Sequence, residues 1–274
     1  MDEPLVTVVI PTRDRLPMLR QAVASVVAQT YPRWELVVAD HGSTDGTAAW
    51  LAEMDDPRVR SIPTDPARHV GHVRNRGAAM GTGDWIAFLD SDDVWLPRKL
   101  ELQVAAMRGS PARWCYAGYE LMDGAGRTVP MRLGEYRPLS GRIAREVVAQ
   151  QANVFVGTLL VERRLFEELG GFCEDERARG REDYELEMRL ALHAEALALP
   201  DVLARVRDHP GRMTARMPDT YEREAAAYEL FLEAGPPEEL ARLARAMRSR
   251  SLVEALGRRM TGTASHPDVA AARG

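Results

Sequence analysis

The sequence predicts an α/β fold, a Rossmann-like, mostly parallel sheet flanked by helices, with a helical C-terminal extension. Three observations predict it. Apolar, β-branched runs alternate with segments of helical periodicity from Leu5 to Leu89. Three successive strand ends run into polar clusters, the edge at which parallel sheets bind ligands. From about Tyr221 to Leu256 the pattern is helical alone.

Residues 5–10 form a continuous apolar run, as in a strand buried on both faces, and Pro11 ends it. Leu16, Leu19, Val23, Val26 and Val27 then recur at helical spacing until Tyr31-Pro32. A second strand is expected at 34–39, a helix through Ala48, Ala49 and Leu51, and a third strand at 59–62. A helix at 70–80 closes on Gly81-Thr82-Gly83, and a fourth strand at 85–89 follows. Helical segments between strands imply parallel pairing with right-handed crossovers. The second half reads differently. Residues 113–122 and 129–133 flank Asp123-Gly124-Ala125-Gly126 as a hairpin. A strand is expected at 154–161, a helix at 163–169 ended by Gly170-Gly171, and a last strand at 202–206. Between them, 183–193 is an amphipathic helix with Leu186, Met188 and Leu190 inward. Two helices broken at Gly235-Pro236-Pro237 follow, and the small, polar stretch 261–274 is expected to fray.

Composition narrows the function classes. Hydrophobic residues at 45% and charged residues at 28% describe an ordinary globular chain with ample core. A net charge of -5 gives no reason to expect nucleic acid as a partner. No apolar run approaches the ~20 residues of a transmembrane helix. The acidic N-terminus enters a strand at once, unlike a signal peptide. Cys115 and Cys173 lack metal-ligand spacing and read as inert core thiols of a reduced, cytoplasmic protein. His69 and His72 lack usable spacing too and read as solvated.

The chemistry concentrates at the strand ends. Asp90, Asp92 and Asp93 lie within four residues, and like charges so close repel unless a cation neutralises them. Mg²⁺ or Mn²⁺ takes one or two carboxylates and leaves room for phosphate oxygens. The alternative is an acidic cap on the helix after Trp95-Leu96-Pro97. Asp40, after the second strand, accepts hydrogen bonds only, so it could read the N3–H of uracil; it could equally serve the turn Gly42-Ser43-Thr44-Asp45.

Four ordered motifs resemble glycosyltransferase family 2, with the GT-A fold. They are Val8-Val9-Ile10-Pro11-Thr12-Arg13-Asp14-Arg15, Ala39-Asp40-His41-Gly42-Ser43-Thr44-Asp45-Gly46-Thr47, Arg74-Asn75-Arg76-Gly77, and Phe88-Leu89-Asp90-Ser91-Asp92-Asp93-Val94-Trp95-Leu96-Pro97. A weaker resemblance continues through Gly170-Gly171-Phe172, Arg181-Glu182-Asp183-Tyr184-Glu185-Leu186 and Asp208-His209-Pro210-Gly211-Arg212-Met213-Thr214. The resemblance implies a metal-dependent, inverting enzyme that moves a sugar from a nucleoside diphosphate sugar, UDP-sugar favoured, to an acceptor hydroxyl. Pro11, Thr12 and Asp14 would surround the nucleoside, Asp40 would bind the base, and Arg74 would sit near the nucleotide. Asp90 and Asp92 match the Asp-x-Asp motif, for ribose and for Mn²⁺ or Mg²⁺, with Asp93 close by. His209 stands where some members place a further metal or diphosphate contact. Asp183, the Asp of a Glu-Asp pair, falls at the general base; a simple first-turn acid is the alternative. The family usually has a second Asp where this chain has His41.

On this reading, 1–110 is the donor-binding half and 111–215 the acceptor-binding and base-carrying half of one domain. Residues 216–260 are C-terminal helices and 261–274 a tail. Leu240, Leu243 and Met247 form an apolar stripe among Arg242, Arg245, Arg248 and Arg250. Such a helix can lie on an anionic membrane, here at the inner face, or dock on the body or on a second copy as a homodimer. Rival classes fare worse. A dinucleotide-binding turn needs glycines that Pro11-Thr12-Arg13-Asp14-Arg15 lacks, and no P-loop motif occurs. A nucleotidyltransferase of related fold and a non-catalytic nucleotide-sugar-binding protein are the remaining alternatives.

Overall fold

The computed structural model describes residues 3–129, 137–209, 211, 217 and 219–261. The first strands and helices follow the periodicities closely: β1 (Val6–Thr12), α1 (Leu16–Val27), β2 (Trp34–Asp40), α2 (Thr47–Ala52), β3 (Val59–Pro63), α3 (Val70–Met80) and β4 (Trp85–Phe88). Next come β5 (Val94–Trp95), α4 (Lys99–Arg108), β6 (Trp114–Met122), β7 (Thr128–Val129), α5 (Ala144–Val148), β8 (Leu160–Glu162) and α6 (Arg163–Glu168). The chain ends through α7 (Glu182–His193), β9 (Ala196–Arg207), α8 (Thr220–Glu233) and α9 (Glu238–Thr261).

All strands join one sheet in the order β3-β2-β1-β4-β8-β6-β9-β5, with β7 paired to β6. β3, β2, β1 and β4 are mutually parallel, so the ends of β2, β1 and β4 emerge side by side on one edge. From β4 onward the sheet is mixed. β8 is antiparallel to both β4 and β6, and β6 pairs parallel with β9.

Side chains alternate across this sheet and feed two cores, one on each face. Val8, Ile10, Ala87, Cys115 and Leu160 face a core closed by α1 and α4. Val9, Phe88, Trp114, Tyr116 and Val161 face a core closed by α5, α7 and the C-terminal helices. Both cores draw on strands from before and after residue 110, so the halves share their interior. Leu240, Leu243 and Met247 pack against the second core, which is docking on the body. Leu186, Met188 and Leu190 are buried as expected.

Several expectations need correction. The strand expected at 154–161 is a 3-10 turn, Val156–Thr158, followed by the short β8. Gly157 and Thr158 interrupt the apolar run, and Thr158 Oγ1 turns back to accept the Ala117 N–H while donating to the Phe155 carbonyl. The strand expected at 202–206 begins at Ala196. Ala-rich sequence and Pro200 conceal its first half, and the register against β6 shifts around Ala117 and Gly118. The hairpin turn at Asp123–Gly126 is present, whereas residues 130–133 of its second strand and 262–274 of the tail lie outside the described residues. No helix among the described residues is long and apolar enough to cross a membrane.

Lys99 is wholly buried, its Nζ donating to Gln103 Oε1 at 2.6 Å and lying 4.0 Å from the Trp95 ring centre. Burial draws its pKa down to about 7 and pushes the neighbouring Cys115 thiol up to about 12, which keeps that thiol inert. The unfolded chain holds the Lys99 proton up to about its ordinary 10.5. Between these values the unfolded state binds more protons, so the stability contributed here rises with pH. In urea unfolding, wild type should gain on the order of 2 kcal/mol relative to Lys99→Met between pH 7 and 9. Parallel pH profiles would show that Lys99 titrates normally.

Candidate active site

The third motif works by close approach. A Cβ on Gly77 would sit 2.4 Å from Val9 Cγ1, so only glycine lets α3 lie this near β1. That contact sets the position of Asn75 and Arg74 earlier on the helix. Asn75 accepts the Phe172 N–H at 2.8 Å and donates to the Phe172 carbonyl and to Glu174 Oε1. Gly171, at φ +73, passes so close to Asn75 that a side chain there would collide with its amide. The third motif therefore grips the Gly170-Gly171-Phe172 segment.

Arg74, one turn earlier on α3's buried side, ties strand end to helix start. Its Nη2 donates to Asp90 Oδ1 and its Nη1 to Glu182 Oε1, both at 2.8 Å. Burial opposes the guanidinium charge, yet Asp90, Glu182 and Asp183 outweigh it and hold the Arg74 pKa above the arginine norm. Burial and the charge of Asp183 push Glu182 upward, against Arg74. Glu182 also accepts the Gly180 N–H at 2.6 Å.

Around this ion pair opens a cleft of about 750 Å³, a fitting size for a nucleotide sugar. Of the residues singled out in the sequence, Pro11, Thr12, Asp14, Arg74, Asp90, Asp92, Asp93, Asp183 and His209 line it. Thr12 Oγ1 is buried without a hydrogen-bond partner among the described residues. Asp14, at φ +50, accepts Thr44 N–H and Oγ1–H, which straps the first strand-end loop to the second. Asp92 Oδ2 meets Arg15 Nη1 at 2.7 Å and His209 Nε2 at 3.0 Å. The Gly211 N–H donates to His209 Nδ1, so the neutral ring carries its proton on Nε2, facing Asp92.

Two of the expected site residues also make contacts within the fold. Asp40 does not line the cleft; its Oδ1 accepts the Ser43 N–H at 3.0 Å, the turn role held open for it. Asp93 Oδ1 accepts the backbone N–H of Arg207, joining the acidic cluster to β9. Arg207 Nε reinforces the joint by donating to the Asp92 carbonyl.

Other residues enter the site to which the sequence assigned no role there. His41 lines the cleft, and burial with nearby Arg13 lowers its pKa, leaving a neutral ring at pH 7 that can both donate and accept. His69 is 2% exposed, not solvated: its Nδ1 accepts the Gly71 N–H and caps α3, while Nε2 is buried without a partner. His72 is half-buried against Glu174 at 2.9 Å. Arg15, Arg68 and Arg179 add positive charge to the lining. The histidine before a helix start was the available signal for a cap at His69, though not for a buried one.

A metal can be tested against these groups. Among the described residues, no three His, Cys, Asp or Glu side chains converge as a metal site. An ion at Asp92 would thus draw most ligands from diphosphate and water, as Mg²⁺ does in phosphate sites, and the carboxylate suits that. His209 suits it less as arranged, because its Nε2 proton faces Asp92.

Parallel strand ends with an acidic cluster, a cleft of nucleotide-sugar size and a mixed sheet completing it define a GT-A-type α/β protein. A family model described as Glycosyl transferase family 2 matches residues 7–170, and the chain belongs to that family. Among curated relatives, the UDP-Glc:alpha-D-GlcNAc-diphosphoundecaprenol beta-1,3-glucosyltransferase WfgD of Escherichia coli is 34% identical over 123 residues, 45% of this chain and 49% of that protein. The chain thus matches only about half the length of that relative. The putative colanic acid glycosyl transferase WcaA of Escherichia coli K12 is 26% identical over 198 residues, 70% of this chain and 67% of its own. Staphylococcal (S. aureus) TarS, solved with UDP-GlcNAc, superposes with a TM-score of 0.69 at 20% identity, covering 94% of this chain and 73% of that one. The mannosyltransferase PcManGT from Pyrobaculum calidifontis, solved with GDP-Man and Mn2+, gives 0.66 at 19% identity, covering 94% and 76%. These structures share the GT-A fold expected from the motifs.

Removing Arg74 leaves two carboxylates unneutralised, one of them wholly buried. Arg74→Met should therefore lower unfolding free energy by about 3 kcal/mol in denaturant titration, and adding Glu182→Leu should recover part of that loss. An unchanged midpoint in the single variant would mean that the ion pair contributes nothing.

Proposed function

We propose that this chain is a metal-dependent, inverting glycosyltransferase that moves a sugar from a nucleoside diphosphate sugar, UDP-sugar favoured, to an acceptor hydroxyl. The observation that carries this reading is the meeting of Asp90, Asp92 and Asp183 in one cleft, from a strand end and a helix start far apart in sequence. UDP-GlcNAc and GDP-Man in the structural neighbours, and UDP-Glc in the name of a relative, agree with a nucleotide-sugar donor.

In this mechanism the acceptor oxygen bonds to the anomeric carbon as the bond from that carbon to the diphosphate breaks. The leaving electron pair goes to the diphosphate, and Asp183 takes the acceptor's proton. Mn²⁺ or Mg²⁺, held by Asp92 with Asp90 beside it, would neutralise charge on the departing diphosphate. Arg15 and Arg179 are placed to hold phosphate oxygens. Thr12, His41 and His69 supply uncommitted or neutral hydrogen-bonding groups for the nucleoside, beside Asp40 for the base. Arg74 acts by positioning Asp90 and Glu182.

Asp183→Asn keeps size but cannot take a proton. It should lower turnover of a UDP-sugar, to acceptor or water, by ~10²–10⁴ with UDP affinity little changed. In calorimetry, Asp92→Ala should abolish the Mn²⁺-dependent part of UDP binding. Near-normal turnover, or retained configuration in the product by NMR, would remove Asp183 from the base role. Metal-dependent affinity surviving in the other variant would remove Asp92.

Peripheral membrane contact is also part of this reading. The exposed Leu252, Val253, Leu256 and Met260 near the end of α9, beside the exposed Arg259, present an apolar and basic surface. Wild type should co-sediment with anionic vesicles at low salt and Leu256→Glu/Met260→Glu should not; equal partition of the two would end the idea.

A further inference from the structure

A second cleft, of about 570 Å³, lies on the other side of Asp183, between the loop at 150–154, the start of α7 and the two C-terminal helices. Asp183 lines both clefts, so whatever fills this one adjoins the donor cleft at that carboxylate. The proposal that follows rests on Asp183 as the base.

The cleft contains polar groups that the fold leaves unsatisfied. Glu187, one turn after Asp183, is 8% exposed, lines the cleft and makes no hydrogen bond among the described residues. Its carboxyl is therefore left for solvent or for a molecule that enters the cleft. Burial, and then the charge of Asp183, push Glu187 well above the carboxylate range. This favours the protonated form, which can donate one hydrogen bond and accept others. Arg181 Nε, in the same cleft, is likewise buried without a partner.

The charges decide what kind of molecule fits. Arg181 and Arg250 face Asp183, Glu224 and Glu254, and Arg181 is already engaged by Glu224 at 3.5 Å. Glu224 in turn accepts Ser251 Oγ–H at 2.7 Å. Even without Glu187, acid exceeds base among these groups, which opposes a phosphate or a uronate. The remaining groups are amides, Gln150, Gln151 and Asn153, with the half-buried ring of Tyr221 at one wall, one of its faces taken by the Arg258 guanidinium 4.5 Å from the ring centre and the other left for a ligand. Amides and carboxyls that donate and accept at close spacing, beside an aromatic face, match vicinal hydroxyls and the apolar face of a pyranose. We propose that this cleft binds the acceptor as an uncharged, hydroxyl-rich sugar, with Glu187 hydrogen-bonded to its hydroxyls and Tyr221 against its ring.

The test uses the full chain loaded with UDP and Mn²⁺. Saturation-transfer NMR would compare p-nitrophenyl glycosides of glucose, galactose and N-acetylglucosamine with p-nitrophenyl glucuronide and glucose 1-phosphate. At least one neutral glycoside should bind about tenfold more tightly than either anion. Glu187→Leu and Tyr221→Ala should each weaken it at least fivefold while UDP affinity holds. Glu187→Gln, which keeps a neutral donor and acceptor in place, should retain binding and covers the case in which the leucine variant does not fold. Anions binding as well as neutral sugars, no neutral glycoside binding, or unaltered binding in Tyr221→Ala would overturn the proposal. Loss of UDP binding in wild type would instead count against the donor reading, and the two failures are separable.

Discussion

The Arg74 guanidinium is buried between Asp90, just beyond β4, and Glu182, the first residue of α7, and the shape of the donor cleft follows from that position. Arg74 and Glu182 are both removed from water and tolerable there only as a pair, so the strand end and the helix start must meet. Asp183 comes next on α7 and thereby lines the same cleft as the acidic cluster. The ion pair is thus an architectural constraint whose by-product is the placement of the proposed base.

That constraint depends on contacts of a less visible kind. Gly77 lets α3 lie on β1, and Asn75 holds the Gly171-Phe172 backbone through both of its amide ends. Each is a close approach in which one added atom would separate the elements. Arg207 does the same for the far side of the cleft, joining the backbone of the acidic cluster to β9. Motifs that look separate along the chain are partners in these three joints.

The two clefts that share Asp183 differ in electrostatic character. The donor cleft combines Arg15, Arg68 and Arg179 with the acidic cluster, which suits a diphosphate that carries its own charge. The second cleft has more acid than base, and burial favours the protonated form of the Glu187 carboxyl that lines it. A substrate of one kind would be unwelcome in the other, and the boundary between them is the carboxylate proposed to accept the proton.

Local pattern was enough to determine the kind of most elements and the edge of the sheet that carries the site. Val70–Met80 is a helix with the expected ends, and β1, β2 and β4 deliver Thr12, Asp40 and Asp90 side by side because parallel strands aim their carboxyl ends one way. These features arise from side-chain periodicity and glycine placement over a few residues, which a linear sequence displays. What the sequence could not display was pairing across long separations. Arg74 meets Glu182, Asp93 meets Arg207, and His69 is buried, while Asp40 turns to its own loop and His41 takes the cleft. The first half of β9 was hidden for the same reason: alanines and Pro200 carry little strand preference, and pairing with β6 overrides it. Charge neutralisation and burial are properties of the assembled fold, so tertiary structure alone decided which polar residues face the cleft and which hold it in place.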